Sequence, residues 1–359
     1  MIIHSFVSDT HEPYERGRQL GARWGTQIGR TVALYLEFFP QVGIAAGQVR
    51  QIAEASLVAL AAWCPALARE IEGMAVGAGV PLWQLAALNS RTEILAVMPA
   101  RPVEGECSTA VYAPANAAVP LSIQTWDWHD SLVPHGLMLQ LHARSGLTVK
   151  LFTEFGMLGK IGVNSAGLGV HFNILHHASD NAQGGVPVHA VARRVLEEAT
   201  SVEHAIDLIG SACVSASTVL TVFSHHPAEL RAASIEMSPA GIAVVPPRSD
   251  GWVLHTNHFL DPALAQGERT ADVSTTYARH DHLAAVAPDM AREALAERAD
   301  AFCGSEGDQA VVCFHPDLSQ PATERWETLL TIGLDTAGCT LEYGAGTPIA
   351  LARDASRRF

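Results

Sequence analysis

The sequence predicts an α+β fold in which grouped helices pack on antiparallel sheets, and three observations lead there. Residues 13–100 carry apolar side chains at helical spacing. From residue 107 onward the texture changes to short, partly β-branched runs separated by Gly, Pro and Asn. The helical stretches are grouped rather than alternating singly with strands, which favours antiparallel sheets over a doubly wound one. At 359 residues the chain suits one large domain or two intimate ones.

Taken in order, residues 13–39 place Tyr14, Leu20, Trp24, Ile28, Val32, Leu36 and Phe39 along one face of a long helix. Further helices are expected over 49–63, 66–76 and 82–98, joined by Gly- or Pro-marked connections that suit antiparallel neighbours. Residues 101–106 read as an exposed polar linker. Residues 107–128 then form a hairpin, with short runs at 109–112 and 121–125 and with Pro114, Asn116 and Pro120 between them. Its closure makes Cys107 and Asp127 neighbours.

Two more hairpins are expected, 138–143 with 147–152 and 161–164 with 169–174. Helices follow over 187–199 and 202–209, the second capped by Ser201. Strands are predicted at 217–224, 232–237, 242–245 and 252–255. Helix returns within 270–303, and strands at 310–314, 327–334 and 339–343 close the chain. Neither an internal repeat nor a low-complexity tract is visible.

Composition narrows the partners. Apolar residues make up 48% and charged residues 17%, enough for a packed core. A formal net charge of -14 without a basic cluster argues against nucleic acid and anionic membrane surfaces. The start lacks the charged and apolar regions of an export signal, so a cytoplasmic setting is expected. The six cysteines form no C-x-x-C pair and read as free thiols, most of them small buried hydrophobes.

The seventeen histidines include the pairs His176/His177, His225/His226, His255/His258 and His280/His282. None has metal-binding spacing, so structural or surface roles are expected and no metal. The glycines of 156–169 lack a phosphate-cradling pattern, and a G-x-S-x-G elbow is absent. Among the cysteines Cys107 stands out. It lies where an accessible linker meets the first strand, it is flanked by Ser108 and Thr109, and it neighbours Asp127. On the residues alone, a structural thiol and a nucleophile both remain open, because no histidine is placed as its base.

Several ordered motifs surround Cys107. They are residues 15–21 in the first helix, Asn-Ser-Arg-Thr-Glu at 89–93, Glu-Cys-Ser-Thr at 106–109 and Gln-Thr-Trp-Asp at 124–127. Glu-Phe-Gly-Met-Leu-Gly-Lys-Ile-Gly-Val-Asn-Ser-Ala-Gly at 154–167 follows, then Asn173, Gly-Val-Pro at 185–187 with His189, Ser-Ala-Ser at 215–217, Glu-Met-Ser-Pro at 236–239 and His-Thr-Asn-His at 255–258. In this order the chain resembles the penicillin (isopenicillin N) acyltransferase family of N-terminal nucleophile (Ntn) hydrolases.

The resemblance implies a four-layer αββα sandwich made as a precursor that cuts itself at Glu106–Cys107. A helical segment 1–106 and a catalytic core 107–359 would result, the two chains staying associated. It implies Cys107 as a thiol nucleophile whose freed α-amino group, with an ordinary pKa of about 7.7–8.0, serves as its base. It implies Asn257 as the side-chain donor of the oxyanion hole and Asp127 as the carboxylate that orients the new N-terminus. Thr109, Trp126, Asn173, Ser217 and Phe314 match pocket or supporting positions.

Two departures stand out: the penicillin-forming members have Gly where Glu106 stands, and an arginine after a strand cysteine where Phe314 follows Cys313. The implied activity is cleavage or transfer of the acyl group of a small N-acyl amine or amino-acid amide through a Cys107 thioester, with hydrolysis favoured. The alternatives are an acyl-CoA-dependent N-acyltransferase of penicillin type and an unprocessed binding protein. No cofactor is implied; acyl-CoA would be a substrate.

Overall fold

The computed structural model describes residues 1–98, 107–115, 118–228, 230–270 and 274–359. The chain opens on a strand, β1 (Ile2–Val7), followed by α1 (Pro13–Gln41), α2 (Ala46–Trp63), α3 (Pro65–Ala78), α4 (Leu82–Asn89) and α5 (Arg91–Leu95). Then come β2 (Cys107–Tyr112), β3 (Leu121–His129), β4 (His135–His142), β5 (Thr148–Glu154), β6 (Ile161–Asn164) and β7 (Leu168–Ile174). Two helices, α6 (Val188–Glu198) and α7 (Val202–Gly210), lead to β8 (Thr218–Ser224), β9 (Ala232–Ser238), β10 (Gly241–Val245) and β11 (Trp252–His255). The chain closes with α8 (Thr276–Val286), α9 (Leu295–Cys303), β12 (Trp326–Asp335), β13 (Thr340–Ala345), α10 (Pro348–Arg353) and β14 (Arg357–Arg358).

Two sheets stack face to face. One has the order β1-β4-β5-β6-β7-β8-β9-β10 and the other β11-β2-β3-β12-β13-β14. Among the described residues only the β1–β4 pairing is parallel; the other strand pairings are antiparallel. Side chains of alternating strand residues interdigitate between the sheets, as where Trp126 of β3 meets Phe152 of β5 with ring centroids 5.3 Å apart. Helices α6 and α7 cover the outer face of the larger sheet, while α8, α9 and α10 seal the smaller one through Ala110, Ile123, Leu283, Leu295 and Phe302. This is the expected α+β sandwich in four layers.

Helices α1 and α3 cross at backbone contact. A Cβ on Gly17 would stand 2.0 Å from the Glu70 carbonyl oxygen, and one on Gly73 the same distance from that of Tyr14. Only glycine permits this approach. It sets Arg16 against Glu70 and, on α6, Glu197.

Most elements match the sequence reading, and Ser201 does cap α7, accepting from the His204 N–H at 3.1 Å. Three local expectations fail, and one strand was not expected. That strand is β1: an edge strand of six residues carries little signal until its partner, beginning 57 residues past the end of α3, is folded beside it. The helix expected over 82–98 breaks at Ser90, which leaves the helical region with φ -104° and ψ 23°. No strand forms over 310–314, where His315 and Pro316 follow and Phe314 pairs instead with the hydroxyl and N–H of Thr328. Cys339 takes a left-handed turn (φ 48°), so its strand begins at Thr340. Cys107, where the expected accessible linker meets the first strand, is itself 2% exposed. The linker 101–106, Glu106 included, lies outside the described residues.

Candidate active site

Cys107 is the first residue of β2, and its position follows from strand alternation. The register sets Cys107 opposite Trp126, Ser108 opposite Thr125 and Thr109 opposite Gln124. Cys107, Thr109, Gln124 and Trp126 therefore face the other sheet, while Ser108, Thr125 and Asp127 face the helices α8 and α9. The hairpin does bring positions 107 and 127 together, as the sequence predicted. Their side chains, however, leave opposite faces of the sheet.

Three side chains from other elements grip the Cys107 backbone. Its N–H donates to Asn257 Oδ1 at 2.8 Å, and its carbonyl accepts from Arg279 Nη1 at 2.6 Å and from Asn173 Nδ2 at 3.2 Å. Each gripping residue is itself fixed. Asn173, on β7, accepts at Oδ1 from the Thr109 hydroxyl at 2.8 Å and from Gln124 Nε2 at 3.2 Å. Asn257 lies just past β11; its backbone N–H reaches Thr276 Oγ1 at 2.8 Å and its Nδ2 donates to the Ile174 carbonyl at 2.9 Å. Arg279, on α8, also donates to Asn257 Oδ1 at 3.0 Å and Ser108 Oγ at 3.1 Å. Burial lowers its guanidinium to about 9.

The Asp127 carboxyl keeps other company. It accepts from Thr125 Oγ1 at 3.1 Å, with Thr328 opposite it on β12, and it makes no hydrogen bond to Cys107. Burial raises it well above the usual carboxylate range, against the pull of the Thr328 and Thr125 hydroxyls. The Cys107 thiol is pushed up to about 12, first by burial and then by Asp127. Opposing these are the Asp127 backbone N–H and the cations Lys160 and Arg91.

Those cations belong to a cluster that sequence reasoning did not assemble. Glu154 Oε1 accepts from Arg91 Nη2 at 2.8 Å and from Lys160 Nζ at 2.7 Å, and Oε2 from the Tyr35 hydroxyl at 2.7 Å. Lys160 Nζ stands 3.7 Å over the Trp126 ring, and the Arg91 guanidinium 4.2 Å over Trp128. Arg91 and Lys160 lie inside stretches singled out as motifs, which was the available signal; their meeting across three elements was not readable. Arg279 had no local signal at all.

The remaining positions are more peripheral. Ser217 holds Asp180 Oδ1 at 2.6 Å, and Asp180 lines a cavity of about 460 Å³ with residues 96–98, His177, Asn181, Ala182 and Arg269. The Phe314 ring centroid is 5.8 Å from the Arg279 guanidinium. An arginine thus does reach Phe314, from α8 rather than from the position after Cys313. Among the described residues no group of three or more His, Cys, Asp or Glu could hold a metal; His255, for one, is buried against Glu236 at 2.8 Å.

Residues 114–349 match the sequence profile of the acyl-coenzyme A:6-aminopenicillanic acid acyl-transferase family. The chain belongs to this family. It is 30% identical over 223 residues to the 40 kDa form of acyl-coenzyme A:6-aminopenicillanic-acid-acyltransferase from Emericella nidulans, an alignment covering 61% of this chain and 60% of that protein. Solved structures resemble it more distantly. Penicillin V acylase from Agrobacterium tumefaciens is 14% identical with a TM-score of 0.38, covering 67% of this chain and 83% of that one. The Caenorhabditis elegans ortholog of N-acylethanolamine-hydrolyzing acid amidase is 12% identical with a TM-score of 0.44, covering 64% and 93%. In this member of the acyl-transferase family, the profile match begins downstream of Cys107 and so leaves Arg91 and Cys107 outside it. No helix among the described residues is long and apolar enough to cross a membrane.

Proposed function

We propose that the protein is a self-processing Ntn-type amidohydrolase or N-acyltransferase with Cys107 as nucleophile, acting on a small N-acyl amine or amino-acid amide. The observation that carries this reading is the grip on the Cys107 backbone. Any buried backbone group needs partners; here they are the side chains of Asn257, Asn173 and Arg279, drawn from three distant elements onto one residue. Such a hold suits a nucleophile that must present both Sγ and its nitrogen at one carbonyl.

In the first step Sγ attacks the carbonyl of the preceding residue, Glu106 in this sequence. The C–N bond breaks, and a thioester and a free α-amino group result. Water then releases the segment 1–106 as a carboxylic acid, which makes position 106/107 the boundary between the two chains. In turnover the α-amino group of Cys107 takes the thiol proton while Sγ attacks the substrate amide carbonyl. Asn257 Nδ2 stabilises the oxyanion, the proton passes to the leaving amine, and a thioester remains. Water completes hydrolysis; a second amine completes transfer. Asn257 Oδ1 already holds the Cys107 nitrogen, which makes it the first orienting contact for the new N-terminus, with Arg279 fixing that amide from behind.

Intact-mass analysis of the purified protein tests the proposal. Fragments 1–106 and 107–359, with Cys107→Ala remaining whole and inactive, are expected. A panel of N-acyl amino acids and N-acyl amines reads hydrolysis as amine release. Acyl-CoA with 6-aminopenicillanic acid reads transfer as CoA release. A single full-length wild-type chain without thiol-dependent turnover would overturn it in favour of a binding protein.

A further inference from the structure

Among the described residues, two cations and one carboxylate meet beneath Cys107, and their charges do not cancel. Arg91 and Lys160 share a single Glu154 oxygen, and the other oxygen takes a neutral donor, Tyr35. All of these side chains are buried. Arg91 Nε and Nη1 have no hydrogen-bond partner among the described residues. Lys160 stacks on Trp126, the residue directly opposite Cys107 in the hairpin, on the same face of the sheet. A buried net positive charge is costly unless an anion can form beside it. Among the other described groups facing the cluster, burial pushes Asp127 up and His189 down, each toward its neutral form, and Arg279 adds further positive charge from the far side. Glu93, also buried nearby, is raised to about 7 by burial and accepts the Val188 N–H.

We propose that Arg91 and Lys160 are positioning residues that supply the counter-charge for the Cys107 thiolate, with Glu154 holding both in place. The inference rests on Cys107 being the nucleophile. It addresses a gap in that chemistry. Before the chain is cut, the Cys107 nitrogen is an amide and cannot act as a base, so the first attack must draw its thiolate from elsewhere. Burial and then Asp127 keep the thiol protonated; the Asp127 backbone N–H and the two cations oppose them. No hydrogen bond joins Lys160 Nζ to Sγ, so the action is electrostatic. Reciprocally, Lys160 is lowered to about 7 by burial, which Glu154 and Cys107 partly offset.

The test is the rate of Cys107 alkylation by iodoacetamide against pH, resolved by peptide mass spectrometry on the full protein. This rate follows the thiolate fraction. Lys160→Met preserves packing on Trp126 and leaves Glu154 paired with Arg91 and Tyr35, so the fold is expected to survive. It should displace the rising limb of the profile upward by about one pH unit, or about tenfold in rate at fixed pH. Lys160→Arg keeps the charge and should leave the limb close to wild type, although it disturbs packing more. Arg91→Met repeats the test from the other cation and should move the limb the same way. An unmoved limb in both Met variants, an Arg variant displaced as far as Met, or a wild-type Cys107 that is not alkylated at any pH would overturn the proposal. Activity of Cys107→Ala would instead overturn the nucleophile reading, so the two failures are distinct.

Discussion

Two buried charge clusters sit in this molecule, and they are built on opposite principles. One joins Arg16 and Arg193 to Glu70 and Glu197, two cations against two anions, with contacts of 2.6–3.2 Å. Its spare N–H groups donate to the carbonyls of His142 and Leu158. Every charge is answered, and it ties α1, α3 and α6 together. The other sets Arg91 and Lys160 against Glu154, the one carboxylate they meet among the described residues, and it lies under Cys107. Balance is what a structural cluster needs, since an unpaired buried charge is expensive. An imbalance is relieved either by loss of the Lys160 proton, whose value burial lowers to about 7, or by an anion beside it, the role proposed for the Cys107 thiolate.

Breaking the balanced cluster should have the largest effect on stability. Glu70→Ala leaves Arg16 and Arg193 with only Glu197, and a loss of about 3–5 kcal/mol is expected in urea unfolding. The alkylation profile of Cys107 should not move, which separates the two clusters by measurement. Asn257→Ala comes next: an oxyanion donor of this kind is worth about 10²–10³ in kcat. Cleavage in the same variant, read by intact mass, should slow as well.

Acid pH offers a milder probe, of two buried histidines and of the Glu154 cluster. Burial lowers His129 to about 4 and His171 to about 3, so between the ordinary imidazole value, 6.5, and those values the unfolded chain binds protons that the folded chain does not. Stability supplied by keeping these rings neutral is present above 6.5 and is lost as pH falls toward 4. Glu154 is held at about 2, despite burial, by Arg91 and Lys160. Its contribution is present above its ordinary value of 4.5 and is lost only as pH falls from there toward 2. The melting temperature should therefore decline in two stages; a single transition below pH 4 would show that the histidines contribute nothing. The smallest effect is expected at Arg50→Ala, because the exposed Arg50–Glu54 pair should be worth nothing measurable in unfolding.

Local pattern made the helices of 13–78, the three hairpins and the Ser201 cap legible, because each is decided within a few residues of chain. Cys107 was legible as a candidate, and the motif residues 89–93 and 154–167 were visibly unusual. What the sequence could not convey is which face each residue takes once two strands register. Asp127 was read as a partner for Cys107, yet a one-residue offset in pairing turns its carboxyl to the helices. Arg279 was invisible because an arginine in a helix reads as solvated. Only the packing of α8 on β2 buries it against Cys107.

Strand β1 is hydrogen-bonded to β4, so the first seven residues complete their fold only after residue 142 exists. A ribosome would therefore finish the sheet well after it had passed the 106/107 bond. If that bond is cut once the sheet has closed, the segment 1–106 stays as an edge strand and a layer of helices with no covalent tie. Folding of the intact chain is unimolecular; reassembly of the two pieces would be bimolecular and dependent on concentration. Maturation then acts as a ratchet. The mature protein would rest on a slow unfolding rate rather than on its ability to refold, and dilution after denaturation should recover the uncut Cys107→Ala chain far better than the cut one.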